Sequence, residues 1–333
     1  MNIRIQGIEI ACGETIRDNE YYINYLAEKY NDDRDKKRRF FEDVMGRDKR
    51  YISEEKSLLQ LSYDAADKVL STLGLTGQDI DLIIYSTNLP EHISPPSALF
   101  IHKHINASEH TLGFDMNVNC VGMAAAFNVA SNYLVMNKNY KRALIVGCDN
   151  LTGVTAEDNL THYGLFGDVA CAVVIEEVEG ESQLIDSSTY TMTKQIDTLL
   201  APPEGFYSVL RKDKLTPKDL KVKFKHYEEN VYVPAGVKQI GEILSKNGYT
   251  IEDIAVVACS QLSQRFNEAM EEILGIPPER RVFIADKYGY TGTSSPFLAL
   301  YESIQDGRVK RGDLVIIWGA GSGIQGVCNL IRY

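Results

Sequence analysis

Cys120 stands between Asn-Val-Asn and Val-Gly-Met-Ala-Ala-Ala-Phe, directly ahead of a run of small residues that reads as a tightly packed helix. A thiol at a helix N-terminus meets the positive end of the macrodipole, which predicts a lowered pKa and a nucleophilic thiolate. The competing reading is a buried structural cysteine, a common fate for this residue type. Tyr290 lies 170 residues further on, at the matching place in a second segment of the same kind. Two such helix starts would converge on one pocket, which favours the nucleophile.

The stretch from Trp318 to Gly326 carries Gly319, Gly321 and Gly323 at alternate positions. It resembles a dinucleotide-binding fingerprint only in spacing, because an extended run follows it where that motif needs a helix. A tight turn whose backbone N–H groups serve as oxyanion donors is one reading, and a plain glycine turn is the other. Phe166-Gly167-Asp168 reads as a turn ahead of a strand from Val169 to Ile175. The six histidines (92, 102, 104, 110, 162 and 226) form no triad order and no ligand spacing. His162, just before that turn, is the one to watch, although a satisfied loop histidine is the simpler reading. No metal and no resident cofactor are expected.

The elements that must position these residues occur twice. Gly74-x-Thr76-x-x-Asp79-Ile80 and Gly248-x-Thr250-x-x-Asp253-Ile254 are offset by 174 residues; each follows an amphipathic helical pattern and leads into an apolar strand. The second part of each unit is a glycine-containing turn, a small-residue helix and a buried strand, with Gly122 matching Gly292 and Phe127 matching Phe297 at an offset of 170. The expected fold is therefore α/β, a duplicated pair of halves at 1–175 and 176–333 whose buried strands lie between helix layers. Two segments fall outside the repeat, about 18–56 and the Lys-rich stretch of about 190–232.

The 333 residues and formal charge of −11 argue against nucleic acid as a partner, since phosphate neutralisation needs a positive surface. The basic run Arg34 to Arg39 and lysines 212, 214, 218, 221, 223 and 225 would steer an acidic partner or simply be solvated faces. No apolar run reaches the ~18 residues of a membrane span, and no targeting leader is visible. Six scattered cysteines without paired spacing lead us to expect a reducing, cytoplasmic setting.

With these residues in view, the chain resembles the thiolase superfamily, in particular its β-ketoacyl-acyl carrier protein synthase III type. The likeness rests on Gly46-Arg47 with Arg50, the cysteine in Asn-Cys-Val-Gly-Met, the Phe-Gly-Asp turn, Gln261-x-x-x-Arg265, the segment Tyr288 to Leu300 and the terminal Gly-Ala-Gly-Ser-Gly. It implies a five-layered αβαβα fold and a homodimer. It also implies a cysteine that takes an acyl group from acyl-coenzyme A or acyl carrier protein, which here is Cys120, with backbone N–H groups of Cys120 and Gly321 as the oxyanion site. Arg47 and Arg265 match basic positions near the coenzyme A and carrier entrance. Two catalytic positions differ: Ser260 replaces the family's histidine and Tyr290 its asparagine. Three readings follow: an acyltransferase with Ser260 and Tyr290 as substitute polar contacts, a condensing synthase with an altered triad, or a partner-dependent subunit of a heteromer with a related thiolase-like chain.

Overall fold

The computed structural model describes residues 3–179, 184–225 and 231–333. Along the first half run β1 (Ile3–Cys12), β2 (Thr15–Asp18), α1 (Asn19–Tyr30), α2 (Arg34–Arg39), β3 (Lys49–Ile52) and α3 (Leu58–Leu73). After these come β4 (Leu82–Ser86), α4 (Ser97–His104), β5 (Leu112–Met116), α5 (Gly122–Met136), β6 (Arg142–Gly147), α6 (Leu151–Val154) and β7 (Val169–Glu177). Five of these strands make one sheet in the order β1-β7-β6-β4-β5. The central β4 pairs in parallel with β5 and β6, and β7 runs antiparallel to both β6 and β1.

The second half contributes β8 (Leu184–Thr191), β9 (Leu199–Leu200), α7 (Phe206–Val209), β10 (Lys223–Phe224), α8 (Tyr232–Lys246), β11 (Ile254–Cys259) and α9 (Gln264–Leu274). It closes with α10 (Ala285–Tyr288), α11 (Ser295–Gln305), β12 (Leu314–Gly321) and β13 (Gln325–Arg332). Its sheet, β11-β12-β13-β8, repeats the first in strand direction, with β11 and β12 parallel and the other pairs antiparallel. Among the described residues it lacks a counterpart of β5.

The repeat seen in the sequence is a built unit. Helices α3 and α8 both bury an apolar stripe on the outer face of their sheet. Gly74 and Gly248 follow them with φ of 64° and 73°, left-handed values that cost a glycine little. Next comes a 3₁₀ turn in which Thr76 caps with Asp79, and Thr250 with Asp253, in reciprocal boxes. The middle layer is α5 and α11, which touch both sheets and meet through Phe127 and Phe297, ring centroids 5.9 Å apart. Helix, sheet, helix pair, sheet, helix: the fold is the expected five-layered thiolase-like one.

The two segments outside the repeat meet over one end of this sandwich. Tyr22, Ile23, Leu26 and Phe41 from the first pack with Phe224 from the second, around Cys120, Phe166 and Tyr290. They supply the roof and walls that the duplicated strands alone leave open. His226 and residues 227–230 of the second segment lie outside the described residues.

Candidate active site

Cys120 is carried on a sharp bend. Asn119 before it has φ of 52°, a left-handed value that asparagine tolerates better than most side chains, and α5 starts two residues later at Gly122. Thr293, at the matching bend of the second half, accepts from the Met123 N–H at 2.9 Å and shares a 2.7 Å hydrogen bond with the Ser86 hydroxyl at the end of β4. The first turn of α5 is thus fixed from both halves.

Opposite lies the end of β12. A Cβ on Gly321 would sit 3.2 Å from the Asn119 Cβ and 3.3 Å from a Val121 methyl. Glycine there lets the Ala320–Ser322 turn close on the two residues flanking Cys120. Beneath it Ser260, fully buried, accepts the Ala320 N–H at 2.9 Å. Ser86 and Ser260 stand 174 residues apart at the ends of equivalent strands, and each supports one side of the same site.

A cavity of about 100 Å³ opens over Cys120. It is walled by Leu151, Leu165, Phe166, Leu199, Phe224 and Leu262, with Tyr290, Tyr232, His162, Arg47 and the Ala320–Ser322 turn completing it. Tyr290 is brought against the thiol, as its position in the repeat implied: both line the cavity and pack in one cluster, and the phenol favours the Cys120 thiolate. The Tyr290 backbone is pinned by the Leu165 carbonyl at 3.0 Å and by the Gly167 N–H at 3.1 Å. His162 also faces the cavity, its ring stacked on Phe224 with centroids 3.8 Å apart and Nδ1 3.1 Å from Asn159 Oδ1. Burial lowers its pKa to about 4, so the imidazole is neutral near pH 7.

Three expectations are corrected here. First, the Cys120 thiol is pushed up to about 12, mainly by burial and secondly by Asp149, while the polar groups of Tyr290 and Asn88 act the other way. Desolvation of the anion outweighs the helix terminus, and the half-exposed Cys12, raised to about 11, is the more readily ionised thiol. Second, Ser260 does not line the cavity: its hydroxyl holds the Ala320 N–H behind the wall, so it is no substitute for a side chain aimed at substrate. Third, Arg47 is no open anion site at an entrance. It is 2% exposed, and its guanidinium donates to the carbonyls of Leu165, Met45, Leu262 and Gln261 at 3.1, 2.6, 2.8 and 3.4 Å. Arg265, by contrast, is exposed in the first turn of α9 and forms no ion pair among the described residues.

Asp149 is a residue that sequence reasoning missed. It is buried at the end of β6, where its carboxylate accepts from the Asn88 N–H at 2.7 Å, Asn88 Nδ2 at 2.9 Å and the Thr293 N–H at 2.7 Å. It thereby ties the loop after β4 to the bend before α11 directly behind Cys120. Burial raises its pKa to about 6 despite those donors. The signal was an aspartate closing the apolar run Arg-Ala-Leu-Ile-Val-Gly-Cys, where a carboxylate is tolerated only if bonded. Among the described residues no cluster of His, Cys, Asp or Glu could hold a metal ion, and no helix is long and apolar enough to cross a membrane.

Comparison with known proteins agrees with this geometry. The model of the 3-oxoacyl-[acyl-carrier-protein (ACP)] synthase III family matches residues 114–193, and the model of that family's C-terminal part matches residues 244–333. The β-ketoacyl-[acyl-carrier-protein] synthase III of Allorhizobium ampelinum is 30% identical, covering 85% of this chain and 87% of its own. That of Aquifex aeolicus is 28% identical, covering 85% and 87%. A crystal structure of the 3-oxoacyl-[acyl-carrier-protein] synthase III from Aquifex aeolicus superposes with a TM-score of 0.86 at 25% identity, covering 99% of this chain and 100% of the other.

Proposed function

The chain belongs to the 3-oxoacyl-[acyl-carrier-protein] synthase III family of acyl-transferring enzymes, and from that premise we propose that it loads an acyl group on Cys120 and passes it on without decarboxylative condensation. The donor is a thioester of coenzyme A or of acyl carrier protein. The Cys120 sulfur forms a bond to the acyl carbon, the carbon–sulfur bond of the donor breaks, and the Cys120 proton ends on the released thiol. Backbone N–H groups of Cys120 and Gly321 receive the oxyanion, and Tyr290 holds the sulfur in line.

The observation that carries this reading is the contrast between Tyr290, which lines the cavity beside the thiol, and Ser260, whose hydroxyl is committed to the Ala320 N–H. Loading uses the cysteine and backbone donors, which remain. Condensation in this family uses a histidine and an asparagine aimed at a malonyl thioester oxygen, and their positions hold a serine outside the wall and a bulky phenol. Removal of one such donor costs ~10²–10³-fold in rate. Arg265 serves carrier docking from its exposed place on α9. The chain pairs with a second copy or a related thiolase-like subunit along β5, whose outer edge is open among the described residues.

Incubation with a panel of acyl-coenzyme A thioesters, followed by intact and peptide mass spectrometry, tests the loading step. An acyl adduct on Cys120, absent from Cys120→Ala, is expected. No adduct from any donor would refute it.

A further inference from the structure

Among the described residues, Arg47 is the one charged side chain in a cavity wall that is otherwise uncharged and mostly apolar. Its surroundings do not neutralise it. Every hydrogen-bond acceptor it has is a backbone carbonyl, the neighbouring Arg50 repels it, and Asp286 attracts it only from beyond ion-pair distance. A guanidinium carries five N–H groups. Four contacts to carbonyls use four of these, and the residue borders the cavity that opens over Cys120.

Burying a full charge without a counter-charge is costly, and an apolar residue in its place would wall the cavity at no such cost. A side chain present only to brace the carbonyls of Met45, Leu165, Gln261 and Leu262 would not need to border the cavity. The size of the space adds a second constraint. At about 100 Å³ it is smaller than the ~150 Å³ cavity that takes up a benzene ring, which limits it to a short acyl group. His162, neutral by burial, and the phenols of Tyr232 and Tyr290 place no negative charge in the way.

Resting on the acyl-loading reading above, we propose that this cavity selects a short acyl group ending in a carboxylate, a malonyl- or succinyl-type monothioester, whose anion pairs with Arg47 while its thioester carbon meets Cys120. The atoms balance as in ordinary loading: the sulfur–acyl bond forms at Cys120, the donor's carbon–sulfur bond breaks, the thiol proton goes to the released coenzyme A, and the terminal carboxylate is untouched.

The test compares succinyl-coenzyme A with its ω-methyl ester and with butyryl-coenzyme A on the unmodified protein, reading initial rates of adduct formation on Cys120 by mass spectrometry. The charged donor is expected to load at least about tenfold faster than either neutral one, the scale of a charge-assisted hydrogen bond in a desolvated site. In Arg47→Met the preference should vanish or reverse, and should that variant fail to fold, the donor comparison decides alone. Equal or faster loading of the neutral thioesters would overturn the anion pairing and leave the acyl-loading reading standing. Absence of any adduct would overturn both.

Discussion

The two halves of the molecule share a scaffold and differ at its ends. Helix, left-handed glycine, capped 3₁₀ turn and buried strand recur at an offset of 174 residues, and the middle helices meet through matching phenylalanines. At the cavity the pattern parts: the first half ends in Cys120 and the second in Tyr290, while among the described residues the second sheet has no strand like β5. Packing and capping are demanded equally of both copies, since each must bury its sheet. Chemistry needs only one thiol, so the second copy was free to supply a wall and a phenol beside it.

The sharpest way to break that comparison is to remove each end in turn. Cys120→Ala should abolish the adduct and reduce acyl transfer by about 10⁴-fold or more, the scale for loss of a nucleophile. Tyr290→Phe should keep the adduct and slow its formation by about tenfold, as the phenol's support of the thiolate is lost. Peptide-level mass spectrometry reads both. If Tyr290→Phe silences loading as fully as Cys120→Ala, the halves share the chemistry and the contrast fails.

Thiol reactivity gives the next largest effect. With Cys120 raised to about 12 and Cys12 to about 11, both lie in the regime where the thiolate fraction grows tenfold per pH unit. Iodoacetamide labelling of Cys120 should therefore climb by about 100-fold from pH 7 to 9 without a plateau. Cys12 should label faster than Cys120, and Cys259 and Cys328 in the second half should stay silent, their burial pushing them higher still. A plateau for Cys120 near neutral pH would restore the helix-terminus thiolate.

For the scaffold the halves should behave alike. Phe127→Ala and Phe297→Ala, both fully buried, should each cost about 3–5 kcal/mol in urea denaturation. A large inequality would show that one half carries the core. Ser86→Ala and Ser260→Ala should each cost about 1–3 kcal/mol, because the first strands Thr293 and the second leaves the Ala320 N–H buried without its acceptor. Ser260→Ala should also slow loading through the Gly321 turn while leaving the pH dependence of loading unchanged. A shifted pH profile would mark Ser260 as a participant in proton transfer.

Much of this was legible in the residues. Spacing alone disclosed the duplication, the turns at Gly74 and Gly248, the strand after Phe-Gly-Asp and the meeting of Cys120 with Tyr290, because periodicity and capping are local. What spacing could not carry was environment. Burial reversed the expected direction of the Cys120 pKa, turned Arg47 inward onto carbonyls from three separate segments, and placed Ser260 behind the wall. Asp149 escaped notice because its partners come from loops 61 and 144 residues away in sequence.

The central claim, that loading outlasts condensation, is tested most directly in one vessel. The protein is mixed with an acyl-coenzyme A donor and malonyl-acyl carrier protein labelled in its free carboxyl group, and acyl-Cys120 and released carbon dioxide are counted together. The account predicts near-stoichiometric adduct, with carbon dioxide released no faster than by Cys120→Ala. Carbon dioxide above that control, accompanied by a 3-oxoacyl product, would contradict it.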